Sequence, residues 1–174
     1  MIAPESSNTD FISRLRRSWK QALPELDTTP VELMGRINRI SALSTQQLDR
    51  VLASSGVSRS EFDVLCALAR SDRPLRASEV TAQTMLSGAA TTKLTARLDD
   101  AGLLRRQRLE RDGRVVLLEL TDAGRTLVET QFPRCLDQER QLLAGLDDTE
   151  QADLARLLRK VSGAAERTLL DQGF

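Results

Sequence analysis

Seven cations fall between positions 93 and 114: Lys93, Arg97, Arg105, Arg106, Arg108, Arg111 and Arg114, set against Asp99, Asp100, Glu110 and Asp112. Ammonium and guanidinium groups at that density suit a phosphate backbone. The chain around them is neutral, with 25 Lys+Arg and 25 Asp+Glu in 174 residues. A histone-like coat is excluded, so a nucleic-acid site has to be this local patch. By composition alone the same run also reads as a solvated, salt-bridged face. The order of the elements carrying it decides between the two.

Other chemistry is thin. There is no histidine and no tyrosine, which removes histidine acid/base pairs, Ser-His-Asp triads, histidine-ligated zinc and tyrosine nucleophiles. No glycine-rich phosphate loop is present, and the carboxylates are scattered. The reading is not an enzyme, with no cofactor and no metal. Cys66 and Cys135 are too few for a four-thiolate site. Cys66, among Leu65, Ala67 and Leu68, reads as a buried inert thiol. Cys135, near Arg134 and Arg140, reads as more accessible, which keeps a thiol-based redox sensor open.

The elements follow from periodicity and caps. Residues 1–9 read as a disordered terminus and 10–174 as one domain. Phe11, Leu15, Trp19 and Leu23 fall four apart, giving an amphipathic helix over 10–24 stopped at Pro24. Thr29-Pro30-Val31-Glu32 supplies a cap, a proline at the first helical position and a capping-box glutamate, opening a helix to about Ala53. Ser58-Arg59-Ser60-Glu61 is a second box, with Phe62, Leu65 and Leu68 inward. A short helix from Ser78 to Thr84 precedes Ser87, the cap of a helix ending at Gly102. Leu104 to Leu109 and Val115 to Leu120 are β-prone runs about an Asp112-Gly113 turn, the only β element expected. Thr121-Asp122 caps a helix to Leu146, and Asp147 to Glu150 is a third box opening the last helix.

Helix, turn, helix and basic hairpin is the order of a winged helix-turn-helix. The fold expected is mainly α, with a two-stranded β-hairpin wing and N- and C-terminal dimerisation helices. The helix after Ser87 would enter the major groove, where small and hydroxylated Gly88, Thr91 and Thr92 allow close approach. Thr92 and Lys93 can reach base edges or phosphates. Arg111 and Arg114 flank the hairpin tip, placed for a narrow minor groove. The leucines at 127, 136, 142, 143, 146, 154, 157, 158, 169 and 170 exceed what a small lobe buries, which argues for a homodimer.

The segments Ser87-Gly88-Ala89-Ala90-Thr91-Thr92-Lys93-Leu94, Arg97 to Arg106, Asp112-Gly113-Arg114 and Leu120-Thr121-Asp122-Ala123-Gly124-Arg125 together resemble the MarR family of bacterial regulators. The resemblance runs from about Pro30 to Leu170. It implies a winged lobe over 58–120 and dimerisation helices over 29–54 and 121–170. It also implies a homodimeric repressor on pseudo-palindromic double-stranded DNA, released by a small anionic or aromatic effector. By this resemblance Ser87, Gly88, Thr91, Thr92, Lys93, Arg97, Arg111 and Arg114 form the DNA-binding set and Asp112 shapes the wing. Gly113 stands where the family often has another arginine.

The added helix over 10–24 further resembles the urate-responsive branch of that family. By that resemblance Trp19, Asp63 and Arg106 are the ligand-binding residues, with Asp63 holding Arg106 until an anion competes for it. The branch has a second arginine where this chain has Leu94, which removes a bidentate anion donor. Trp19 is also explained as a packing anchor, and Asp63 with Arg106 as a structural ion pair. With no apolar run near 18 residues and no secretory pattern in MIAPESSNTD, the expected location is the cytoplasm. A helical interaction module that does not bind DNA is the remaining alternative. It predicts no salt-dependent duplex binding.

Overall fold

The computed structural model describes residues 10–109 and 112–171, and their side chains except at 108, 109, 112–114 and 169–171. Among these the order is α1 (Phe11–Ala22), α2 (Thr29–Leu52), a 3₁₀ turn (Ala53–Ser55), α3 (Arg59–Ala69), β1 (Leu75–Arg76), α4 (Ala77–Thr84), α5 (Gly88–Asp100), β2 (Leu104–Leu109), β3 (Asp112–Leu120), α6 (Asp122–Leu143) and α7 (Asp148–Asp171). The fold is mainly α with a small antiparallel sheet, the expected winged helix. No described helix is long and apolar enough to cross a membrane.

Caps set most boundaries. The Ser58 hydroxyl accepts from the Glu61 N–H while the Glu61 carboxylate accepts from the Ser58 N–H, so the box predicted there is complete. Asp147 and Glu150 exchange the same pair of bonds at the start of α7. Ser87 and Thr121 each accept from the N–H three residues on, at Ala90 and Gly124. At α2 the expectation needs correction. Thr28 holds the cap position without a side-chain bond, and Glu32 turns sideways to Arg16 and Arg36.

The sheet has three strands in the order β1-β3-β2, not the two of the hairpin alone. Leu75 and Arg76 pair with Leu118 and Leu117, seating Leu75 in the core. The Asp112-Gly113 turn is also corrected. Both residues belong to β3, and Asp112 pairs with Leu109 after a register shift at Arg108/Leu109.

One core serves the lobe: Leu48 and Leu52 of α2, Phe62, Leu65 and Leu68 of α3, Val80, Leu98, Leu104, Leu118 and Val128. Its lower edge is closed by contact between backbones. The Thr121 hydroxyl donates to the Gly102 carbonyl at 2.8 Å, and Gly124 lies against the Leu103 carbonyl so closely that a Cβ would meet its oxygen at 2.0 Å. Only glycine fits there. The wing and α6 are thereby fixed to the end of α5.

The terminal helices are less committed to their own chain. On α1 the residue buried is Ile12, against Gly35 of α2, while Phe11, Trp19 and Leu23 of the expected stripe stay exposed. On α7 Leu154, Leu157, Leu158 and Val161, one face by their spacing, are all exposed. Leu127, by contrast, packs on its own core. Leu169 and Leu170 lie outside the described side chains.

Candidate nucleic-acid interface

Helix α5 presents one face inward and one outward because its buried residues recur at helical spacing. Thr91, Thr95 and Leu98 are buried, whereas Gly88, Ala89, Thr92, Lys93 and Arg97 are exposed. The exposed Ser87 caps the helix, so the positive end of α5 sits beside Gly88, Ala89 and Thr92, while Arg97 lies in the last turn. The arrangement offers a smooth, cationic ridge flanked by a helix N-terminus, which suits a phosphate-lined groove.

Thr91 is removed from the DNA-binding set. It is 1% exposed, and its hydroxyl oxygen accepts from the Thr81 hydroxyl of α4 at 2.8 Å. This bond ties α4 to α5 and fixes the angle between them. Thr92 is exposed, with its hydroxyl donating to the Gly88 carbonyl. Arg97 is mostly exposed but leans back toward α3, its Nε 3.2 Å from the Glu61 carboxylate. Sequence reasoning assigned Glu61 only to a capping box and missed this contact.

The turn before α5 holds a second residue that sequence reasoning missed. Met85 has φ 56° and is 91% exposed, the one non-glycine residue in the left-handed region among those described. On the wing, Arg105 is exposed, while Arg106 pairs with Leu118 on the side of β2 that carries Leu104 inward. Arg111 lies outside the described residues. Arg114 belongs to β3, and its side chain lies outside the described set.

The expected bond from Asp63 to Arg106 is not formed. Asp63 accepts from Arg59 Nε at 2.9 Å, one turn back on α3, and Arg59 also approaches Glu139 of α6 at 3.8 Å. An i,i+4 partner on the same helix takes the carboxylate before a cross-element one can. Arg106 is left with its Nε buried and without an acceptor. Asp63 and Arg59 line an open cleft of about 440 Å³ between α2 and α3, whose other walls are Ser41, Ser44, Thr45, Asp49, Ser58 and Ser60.

Trp19 is not on that cleft wall. Helix α1 runs antiparallel to α2, with Arg36 bonded to Asp10 and Ser13, and Arg16 paired with Glu32. Trp19 therefore lies beside the start of α2. The twelve residues from Thr29 to Ser41, the near wall of the cleft, put it roughly 18 Å along α2 at 1.5 Å per residue.

Both cysteines are buried, which corrects the expected accessibility of Cys135. Burial pushes the Cys66 thiol up to about 11, with the nearby Asp63 carboxylate adding to it. Burial also raises Cys135, against the opposing pull of Arg59.

A sequence model of the MarR family matches residues 55–115, the span of α3 to the start of β3. The HTH-type transcriptional regulator PecS of Dickeya dadantii is 32% identical over 152 residues, covering 86% of this chain and 92% of its own. The chain belongs to the MarR family. Its helices and wing are accordingly those of a MarR-family transcriptional regulator, a family of regulators and not of enzymes.

Solved structures share the fold. BpsR of Bordetella bronchiseptica, whose DNA binding is regulated by 6-hydroxynicotinic acid, matches at TM-score 0.62 with 27% identity, covering 73% of this chain and 98% of its own. The PcaV transcriptional regulator of Streptomyces coelicolor, solved with its natural ligand, matches at TM-score 0.65 with 29% identity, covering 80% and 97%.

Proposed function

We propose that this MarR-family regulator is a ligand-responsive repressor. It binds pseudo-palindromic duplex DNA as a homodimer and is released by a small anionic or aromatic effector. The observation that carries the DNA-binding part is the division of α5. Thr91, Thr95 and Leu98 anchor the helix, leaving Ser87, Gly88 and Thr92 exposed over its first turns and Lys93 and Arg97 exposed along an adjoining flank that reaches the last turn. Arg111 and Arg114 add the wing contacts expected from their positions in the sequence.

The homodimer is supported by α7, whose apolar stripe stays exposed among the described residues. A two-fold axis would bring two α5 ridges to successive major grooves.

The effector reading rests on the Asp63–Arg59 cleft, on the buried Arg106 Nε that has no acceptor, and on BpsR and PcaV as ligand-bound or ligand-regulated relatives. An anion that displaces Asp63 from Arg59 changes the contacts that tie α3 to α6 through Glu139. It shifts DNA affinity only by as much as it prefers that altered arrangement. Because Trp19 lies far from the cleft of its own chain, any part it plays there comes from the second copy of a dimer.

The test is anisotropy of a labelled duplex from upstream of the coding sequence, over a salt series and then with urate or 6-hydroxynicotinate added. Steeply salt-dependent binding that an anion reverses, with a change in the fluorescence of Trp19, the only tryptophan, is the expected result. Absence of salt-dependent binding refutes the regulator and leaves a protein-interaction module. Binding indifferent to both anions removes urate-like effectors.

A further inference from the structure

Glu61 is the one charged residue in the buried set among the described residues, at 1% exposed. A carboxylate in that position needs donors on both oxygens. Oε2 has two, the Ser58 N–H and the Ser58 hydroxyl, each at 2.8 Å. Oε1 is enclosed and accepts no well-formed hydrogen bond. What faces it is Arg97 Nε, 3.2 Å away across the space between α3 and α5.

Arg97 is the opposite case. Its side chain is 68% exposed, one turn beyond the exposed Lys93 on the same flank of α5. The guanidinium is thus held from behind at one nitrogen while most of the group remains in solvent. A planar fork fixed in this way keeps its other donors for a planar or tetrahedral anion. A flexible, unpaired arginine would have to lose more rotamer freedom to make the same contact.

We propose that Glu61 is a positioning residue for DNA binding, holding Arg97 by Nε so that its terminal nitrogens meet a backbone phosphate beside the recognition helix. The proposal deepens the DNA-binding reading above and rests on it. It gives the buried carboxylate a function beyond capping α3, since the capping bonds use Oε2 alone. It also accounts for a negative charge placed behind a phosphate-binding surface, because Arg97 neutralises it.

A double-mutant cycle decides the matter. Wild type, Glu61→Gln, Arg97→Ala and the double variant are titrated with a random-sequence duplex and with the upstream duplex between 50 and 200 mM salt, after thermal melts establish folding. Arg97→Ala is expected to weaken both complexes about tenfold and make the log–log salt slope shallower by about 1. Glu61→Gln is expected to weaken binding roughly threefold to tenfold with Arg97 present and to add nothing once Arg97 is alanine. Arg97→Lys reads the contact from the other side. Lysine has no Nε fork, so affinity falls while the salt slope is kept.

Equal loss from Glu61→Gln in both backgrounds overturns the proposal, because Glu61 would then act through the fold alone. An unchanged salt slope in Arg97→Ala, or Arg97→Lys binding like wild type, overturns it as well. If wild type binds neither duplex in a salt-dependent way, the DNA-binding reading falls with it, an outcome distinct from the others.

Discussion

The Leu103 carbonyl oxygen occupies the space where a Cβ on residue 124 would stand, 2.0 Å from it. The contact joins the end of the recognition-helix unit to the start of α6, with Thr121 bonded to Gly102 alongside. Replacing Gly124 with alanine must move backbone, since neither partner has a flexible tip to yield. We expect Gly124→Ala to lower unfolding free energy by at least about 2 kcal/mol. Urea denaturation measures this, and a loss under 0.5 kcal/mol would show that α6 shifts without cost.

Met85 is the converse case, a side chain where glycine would sit more easily. Its φ of 56° costs about 1 kcal/mol for an L-residue. Met85→Gly relieves this strain and exposes nothing new, because the side chain is already in solvent. A gain of roughly 0.5–1 kcal/mol is expected, seen as a higher denaturant midpoint at constant slope. A less stable variant would mean that the methionine packs in solution.

Glu79 supplies a pH-dependent contribution. The Arg73 guanidinium and the Arg76 N–H hold its carboxyl down, to about 2. A carboxyl lowered on folding stabilises the native state above its unfolded value, near 4.3, and that contribution disappears as pH falls through 2. The Glu79→Gln variant should therefore show a shallower loss of stability between pH 4.5 and 2, with no added change above pH 5. Parallel acid titrations of the two proteins would contradict the assignment.

The thiols should be inert while the protein is folded. With Cys66 pushed up to about 11, only about three in ten thousand molecules carry its thiolate at pH 7.5. Labelling by a disulfide reagent should be slow in buffer and fast in urea, and peroxide should leave duplex affinity unchanged. Rapid labelling of native protein would reopen redox sensing.

The stripe on α7 predicts its own experiment. Leu157 is half-exposed in the single chain, so Leu157→Glu is tolerated there. In a symmetric dimer it removes two buried leucines, about 3–6 kcal/mol in all. Sedimentation should find dissociation tightened for wild type over the variant by at least a hundredfold, with helix content retained. A variant that associates like wild type would move the interface elsewhere.

Much of this was legible because short side chains next to backbone carry strong local rules. Ser58 with Glu61, and Asp147 with Glu150, announce their helices by spacing, and the change of period after Gly102 announces the wing. The misses share a cause: contact with something distant in sequence. Strand β1 is two residues long, too short to alternate, and exists because β3 offers an open edge at Leu117 and Leu118. Thr91 is polar enough to read as outward, although its spacing from Leu98 sets it on the inward face of α5, where the Thr81 hydroxyl of the preceding helix satisfies it. Asp63 had two arginines to choose from, and the choice of Arg59 was local after all.

Among the described residues helix α1 buries one side chain, Ile12 against Gly35 of α2, beside the half-buried charges Arg16, Glu32 and Arg36 and the exposed Asp10, with Arg39 over the Phe11 ring at 4.7 Å. Such a seat has a small free energy of local opening compared with the core, and most of it is open to screening by ions. Amide hydrogens of α1 should therefore exchange with solvent well before those of α3, and added salt should hasten the first group while leaving the second untouched.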